Sequence, residues 1–412
     1  MRTRVAAACT LCLAAFLAAS CGRPRREAAR WQPREFLIAL RGAPPQQPEH
    51  YAHAARAGFT AIADDAGPDA LALARRHGLR LIVGRIGLDP ETLADGAARE
   101  RAAATLRRFR SHPALWGYFL GADVQQKQFE GIAAVAAFIR RHDPAHPAFI
   151  SLLPCDAWVG PALENAHYAA YLERFLRTVR PDVLAYSHFP FREPRDSAQY
   201  FENLEWVRRF AVAQGLPFVP TLRGSQWEGM REPSEGSLRW LAHTSLAYGA
   251  KGVVWVRYWG GDGNGSEPIV TADGLLTERY RWVAGINAEL RVLGRALLPL
   301  RSVAVYHAGA VPSGATRLPV HGLVGAAEGG AFVVGQFADD EQARYLFVAN
   351  RDPRKAAVAK LTITEPCRGI AWLDPSTGRW CPMAAVVDRF QAIVEFPLRA
   401  GEGRLVRLPA AR

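Results

Sequence analysis

The sequence predicts an α/β fold: a (β/α)8 TIM barrel followed by a C-terminal antiparallel β-sandwich. Three observations carry that prediction. Short apolar runs alternate with amphipathic stretches from Arg34 to about Leu290, which argues for a parallel sheet wrapped by helices. Eight such units fit in roughly 250 residues, the count and size of a (β/α)8 barrel. After Leu300 short alternating strands follow one another with no helix between them, the pattern of a sandwich. A doubly wound sheet is the alternative, and it would call for a phosphate-type glycine fingerprint or fewer strands.

The expected barrel strands are 35–40, 60–63, 79–83, 115–120, 148–153, 183–186, 218–222 and 252–257. Helical stretches lie between them at 48–57, 70–77, 90–111, 129–141, 168–179, 198–214 and 235–248. Several open on Asp, Ser or Pro at the helix-starting position. The sandwich strands expected are 302–307, 331–337, 343–350, 357–364, 369–373 and 392–397. Gly, Pro and Asp turns separate them. The barrel domain is therefore placed at 34–298 and the sandwich at 299–412.

The 412 residues are 49% hydrophobic and 22% charged. Those are globular values, and they exclude disorder, collagen and coiled coil. The chain is long enough to bury a core without disulfides or metals. A net charge of +12 invites a nucleic-acid reading. Only four of the 51 basic residues are Lys (Lys127, Lys251, Lys355 and Lys360), and the Arg are spread along the chain. Phosphate-tracking surfaces come as clusters within a recognisable module. None is present, so no nucleic-acid partner is expected.

Residues 1–20 read as a signal peptide. Arg2 and Arg4 precede an apolar run from Val5 to Ala19, too short for a stable membrane anchor. The run ends in Ala18-Ala19-Ser20-Cys21-Gly22. Small residues before a Cys resemble the lipobox of bacterial lipoproteins, although Leu17 lies four residues before Cys21 rather than three. The expectation is an exported protein of the cell envelope, tied to a membrane by a lipid on Cys21. Residues 21–33, with Arg23, Pro24, Arg25, Arg26, Arg30 and Pro33, read as a flexible tether. Cys367 and Cys381 flank the turn Pro375-Ser376-Thr377-Gly378. A disulfide fits an oxidising compartment, but a hairpin centred on that turn would not set the two opposite each other.

Catalytic groups of a barrel sit just past the C-terminal ends of its strands. In order, those positions hold Arg41; Asp64 and Asp65; Arg85; Asp123, Gln125 and Gln126; Cys155, Asp156 and Trp158; Ser187, His188 and Glu193; Arg223, Gln226, Trp227 and Glu228; Tyr258, Trp259 and Asp262. Tyr186 ends strand six, and Trp255 lies within strand eight. Aromatic faces suit the C–H faces of sugar rings, and carboxylates suit acid/base work on a glycosidic oxygen. The plain alternative is that rim aromatics plug the barrel top.

The run Ser111-His112-Pro113-Ala114-Leu115-Trp116-Gly117-Tyr118-Phe119-Leu120 resembles the fourth-strand region of bacterial glycoside-hydrolase-like barrels of the β-galactosidase and cellulase clan. Ser245-Leu246-Ala247-Tyr248-Gly249-Ala250-Lys251-Gly252, leading into strand eight, is similar to the same group, as is Asp273-Gly274 with Thr277 and Tyr280. The departures are informative. The family pattern runs into Asp-Glu-Pro, with the Glu as proton donor, whereas this chain reads Gly121-Ala122-Asp123-Val124. Asp123 is one methylene shorter, and a misplacement near 1 Å costs on the order of 100-fold in such chemistry. Ser187 stands where an Asp is usual. No Glu ends strand seven, where the clan's nucleophile belongs; the nearest is Glu228.

In the enzymatic reading Asp123 is the acid and Glu228 the nucleophile or base. His188 and Arg41 then bind sugar hydroxyls. Arg41, Asp64, Asp156, Trp158, Tyr186, His188, Arg223, Trp227, Trp255, Tyr258 and Trp259 are the expected contacts to an oligo- or polysaccharide. Asp64 and Asp156 are alternative partners for Asp123. Hydrolysis needs two carboxyl groups ~5 Å or ~6.5–9.5 Å apart. In the rival reading, Asp123 is a loop cap, Glu228 a solvated charge, and the protein a non-catalytic carbohydrate-binding lipoprotein.

Neither a cofactor nor a metal is expected. His142, Asp143 and His146 read as a turn before strand five, and His50 and His53 lack a third ligand. A metal-dependent hydrolase would need His and carboxylates together on the rim, where His188 is alone. The glycine-rich run 260–265 lacks the Lys-Ser or Lys-Thr of a phosphate cradle. Ser187 and Ser225 have no nucleophile-elbow context.

Overall fold

A computed structural model describes residues 31–409 except 66, 85, 158–164 and 261–266. The expected signal peptide, Cys21, most of the tether, Arg85, Trp158 and Asp262 lie outside the described residues. The chain from Gln32 onward forms one compact unit.

Eight parallel strands close into a barrel in chain order. They are β1 (Leu37–Arg41), β2 (Ala61–Asp65), β3 (Arg80–Val83), β4 (Leu115–Val124), β5 (Ala148–Leu152), β6 (Leu184–Ser187), β7 (Phe218–Arg223) and β8 (Gly252–Val256). The helices are α1 (Pro48–Arg56), α2 (Pro68–Arg76), α3 (Pro90–Ala94), α4 (Gly96–Phe109), α5 (Phe129–His142), α6 (Asn165–Val179), α7 (Tyr200–Gln214), α8 (Glu235–Tyr248) and α9 (Glu278–Leu297). All eight expected strands are present, with their ends shifted.

Two differences have clear causes. The single helix expected over 90–111 is two, because Asp89 and Asp95 each cap a new start. Their carboxylates accept from the backbone N–H of Thr92 at 2.6 Å and of Ala98 at 2.5 Å, the bond that an N-cap supplies. Strand four runs to Val124 rather than ending at Leu120. Its register slips twice against β5, around Gly121. Gly121 at φ 148° and Asp123 at φ 53° turn the end of the strand, as a bulge re-aims a side chain at a barrel rim. The closing helix α9 was not among the expected helices.

Strand residues point alternately outward and inward. Ile38, Leu40, Leu184, Tyr186, Leu222 and Trp255 join the core beneath the helices. Arg41, Phe119, Phe149, Ser151, Ser187 and Arg223 fall on the other parity, facing the barrel interior. Phe149 fills that interior between Trp116 and Phe119, with ring centroids 6.0 and 6.3 Å away.

The C-terminal region forms two antiparallel sheets. The six-stranded sheet contains β9 (Arg301–Ala308), β11 (Phe332–Ala338), β12 (Arg344–Asn350), β14 (Ala371–Leu373), β15 (Trp380–Pro382) and β18 (Gly403–Arg407). The four-stranded sheet contains β10 (Val324–Glu328), β13 (Ala357–Ile363), β16 (Ala385–Val387) and β17 (Ala392–Leu398). Strands β10, β15, β16 and β18 are not among the six expected sandwich strands; all four have five residues or fewer and little alternation to read.

The central strands of the six-stranded sheet, β11 and β12, are buried on both faces. Phe332, Val334, Leu346 and Val348 face the second sheet. Val333, Phe337, Phe347 and Ala349 face the barrel and join its core. That is why β11 and β12 read as continuous apolar runs. Helix α8 is sealed by this contact: every residue from Ser237 to Tyr248 is buried. Close approach needs glycines here. A Cβ on Gly335 would stand 2.0 Å from the Ala247 carbonyl oxygen.

Cys155, Cys367 and Cys381 carry free thiols. Cys381 pairs in register with Trp372 across the β14–β15 hairpin, so Cys367 has no place opposite it. The His142–His146 turn is braced by Asp143, which accepts from the Tyr118 hydroxyl at 2.7 Å and contacts His146 Nδ1 at 2.8 Å.

Candidate functional site

The mouth at the C-terminal strand ends is polar on two sides. Asp123, turned by the bulge of β4, faces Arg41 of β1 and the hydroxyl of Ser187 on β6. Ser187 Oγ is 3.1 Å from Ser151 Oγ on β5. Burial by the barrel wall pushes the Asp123 carboxyl above its ordinary value, while Arg41 and Ser187 pull it back. Loss of water favours the neutral acid, and a nearby cation favours the carboxylate. Asp123 nevertheless remains open to solvent at the rim. The Arg41 guanidinium lies 5.7 Å over the Phe119 ring, a cation–π position. A cavity of about 260 Å³ opens beside it, between the ends of β3 and β4, lined by Val83, Ile86, Asp89, Phe119 and Gly121. A larger one of about 600 Å³ lies on the opposite face, by Lys251 and Leu300, away from the strand ends that carry these groups.

A second cluster sits after β5 and β6. Asp156 Oδ2 contacts His188 Nε2 at 3.3 Å, Arg192 at 3.1 Å and Ser197 Oγ at 2.5 Å. Ser197 Oγ also lies 3.0 Å from His188 Nε2. Burial alone would raise Asp156, but His188, Ser197 and Arg192 outweigh it and hold the carboxyl well below the usual range. Serine and carboxylate share one ring nitrogen here. A relay needs the base oriented from its far side, so this is a bracing network rather than a nucleophile with its base.

Strand seven ends in Arg223, which is 2% exposed. Its guanidinium donates to the carbonyls of Ser225 at 3.0 Å, Phe191 at 3.4 Å and Arg231 at 2.5 Å, and to Gln226 Oε1 at 3.3 Å. Five fixed donors make Arg the residue for gathering loop carbonyls this way. Burial lowers it to about 10, against the opposing pull of Glu232. Beside it, Trp227 meets Phe189 edge-on at 5.0 Å and carries Arg257 at 4.6 Å over its face.

Several expected contacts are corrected by strand parity and burial. Tyr186, Trp255 and Tyr258 point outward into the core beneath the helices. Trp255 donates to Asn287 on α9 at 2.9 Å. His188 has a fully buried side chain, closed off beneath Ser197 and against Tyr200. Arg223 is spent on loop carbonyls. Glu228 is exposed on the turn closed by the Met230 N–H to the Trp227 carbonyl at 3.1 Å. It makes no hydrogen bond or ion pair among the described residues. Trp259 is half-buried, edge-on to His50 of α1 at 4.3 Å. Asp64 lies in β2, but its side chain is outside what is described. Arg41, Asp123 and Trp227 remain open at the mouth.

Sequence reasoning missed Ser151, Phe119, Phe189, Arg192, Ser197 and Arg257. Ser151 and Phe119 had a readable signal, the inward parity of their strands. Arg192 and Ser197 sit in a long excursion after β6, where no periodicity places a side chain. Among the described residues no group of His, Cys, Asp and Glu is arranged to hold a metal.

The fold is a (β/α)8 barrel with a C-terminal β-sandwich, the architecture also seen in solved glycoside hydrolases. Solved structures agree on the fold. The chain is similar to Gan42B, a GH42 β-galactosidase from G. stearothermophilus, with a TM-score of 0.59 and 9% identity over 92% of this chain and 98% of that one. It is also similar to a β-galactosidase from Rahnella sp., with a TM-score of 0.51 and 10% identity over 91% and 98%. Against the β-galactosidase of the psychrophilic Marinomonas ef1 the TM-score is 0.46 at 11% identity, over 64% of this chain. The chain spans 62% of the length of that enzyme. No family model matches the sequence, and no curated protein does.

Proposed function

We propose that this chain is an exported carbohydrate-active protein whose barrel mouth recognises a glycan, and that recognition rather than hydrolysis is its main task. One observation carries this reading. The end of strand seven, where a second carboxylate would complete a hydrolytic pair, holds Arg223, buried and bound to loop carbonyls. The remaining rim carboxylates do not replace it. Asp156 is engaged by three partners, and Glu228 projects from an exposed turn. Asp123 then acts as a hydrogen-bond partner for sugar hydroxyls, with Trp227 as an apolar platform. The β-galactosidase neighbours support a saccharide as the ligand class, on the analogy of a shared fold.

A second reading is favoured by the raised Asp123 carboxyl. A neutral acid at the mouth suits proton donation to a glycosidic oxygen, with Glu228 as base after loop movement. Aryl glycosides and plant or bacterial polysaccharides, tested with the wild type, Asp123→Asn and Glu228→Gln, separate the two. Hydrolysis lost in both variants establishes the enzyme. Binding without turnover in all three establishes the recognition protein.

Export and anchoring rest on the first 21 residues. Lipid on Cys21 would hold the domain at a membrane through the 21–33 tether. Mass spectrometry of protein recovered from membranes tests this: an acylated Cys21, absent in Cys21→Ser, is expected. An unmodified soluble product removes the anchor from the proposal.

A further inference from the structure

The mouth is asymmetric in charge, and the asymmetry follows from register. Arg41 on β1 and Arg223 on β7 both align with Val256 of the intervening strand β8. Neighbouring strands lie ~4.8 Å apart, so the two arginines share one level of one wall. Arg257 follows on β8, with its guanidinium over Trp227. The opposite wall, β4 to β6, presents Asp123 and the hydroxyls of Ser151 and Ser187.

Two of these arginines, Arg41 and Arg223, have no carboxylate bonded to them among the described residues. Arg223 has only carbonyl and amide oxygens as hydrogen-bond partners. The acid that acts on it from a distance, Glu232, is itself paired with Arg279. The Arg41 guanidinium makes no hydrogen bond or ion pair among the described residues, and Asp123 is the acid it faces. The same guanidinium is held over the Phe119 ring, so the donors are placed in advance. A half-buried, pre-positioned guanidinium beside a second buried positive charge favours an anion at the mouth.

We propose that the glycan bound here is acidic: a carboxylate or sulfate of one sugar unit sits against Arg41 on the β7–β8–β1 wall, while its apolar ring face lies on Trp227. The proposal rests on the reading of the mouth as a glycan site.

The test uses the full folded chain on an array of uronate-bearing, sulfated and neutral oligosaccharides, followed by calorimetry on the strongest binder of each class. Acidic glycans should bind best. Arg41→Met keeps an unbranched side chain but removes the guanidinium, and should weaken them by about 10- to 100-fold, the worth of a charge-assisted pair. Arg41→Lys should recover part of the loss. Asp123→Asn removes a like charge and should tighten acidic glycans by roughly two- to fivefold, which keeps the test alive if Arg41→Met misfolds by circular dichroism. Uronate and sulfate arms distinguish the two anions. Neutral glycans binding as tightly as acidic ones, or acidic binding untouched by Arg41→Met, overturns the acidic preference and leaves the glycan reading standing. No binding in any class overturns both.

Discussion

The Tyr248 hydroxyl on α8 and Nε2 of His307 on β9 lie 2.8 Å apart, buried where barrel meets sandwich. Phe201 of α7 covers the same imidazole edge-on at 4.7 Å. The seam is therefore a core interior rather than a surface between two independent bodies.

Burial, with Arg351 nearby, pushes His307 down to about 3. An unfolded His titrates near ~6.5. Below that pH the unfolded chain takes up a proton that the folded chain refuses, so stability falls with acidification until about pH 3. The slope from this group approaches about 1.4 kcal/mol per pH unit. Urea melts at pH 7, 6, 5 and 4 on wild type and His307→Gln measure it; an unchanged slope in the variant would clear His307 of the effect.

Glu289 on α9 works in the same direction, in a lower pH window. Burial alone would raise it. His243 at 3.2 Å, followed by Arg239 and Arg399, overrides burial and holds it at about 2. Its stability contribution is full above the ordinary Glu range and is lost as pH falls toward 2. Glu289→Gln should cost about 2–3 kcal/mol at neutral pH. Thermal melts of variant and wild type should converge as pH approaches 2.

Two glycine substitutions should have opposite signs. Gly335→Ala places a methyl 2.0 Å from the Ala247 carbonyl at the seam and should destabilise by about 1–3 kcal/mol. Gly285 lies inside α9, exposed, with nothing within 4 Å of its missing Cβ. Gly285→Ala should stabilise by about 0.5–1 kcal/mol. Chemical denaturation of the two variants reads both.

Arg223→Lys should fail to conserve structure despite keeping the charge. A point charge cannot hold the carbonyls of Phe191, Ser225 and Arg231 together. The expected loss is about 2–4 kcal/mol, with the 224–232 loop cleaved by protease before the barrel. Cleavage elsewhere first would show that the loop does not depend on Arg223.

Much of the architecture was legible in the chain. Strand and helix periods are local, so the eight βα units and the switch near Leu300 could be read from apolar spacing. The site was legible only in outline. Rim positions follow from where strands end, which brought Arg41, Asp123 and Trp227 into view. Parity errors of one residue then misdirected Tyr186 and Trp255, because a strand sends successive side chains to opposite faces.

What the sequence by itself determined is the barrel, the sandwich after it, and the lack of a Glu at the end of strand seven. Tertiary structure decided the rest. It buried α8 on every side by laying a sheet over it. It turned Asp123 inward through a bulge, spent Arg223 on loop carbonyls, and set Arg41 level with it across β8. These outcomes depend on contacts between residues far apart in the chain, and no local pattern encodes which neighbours a folded side chain will meet.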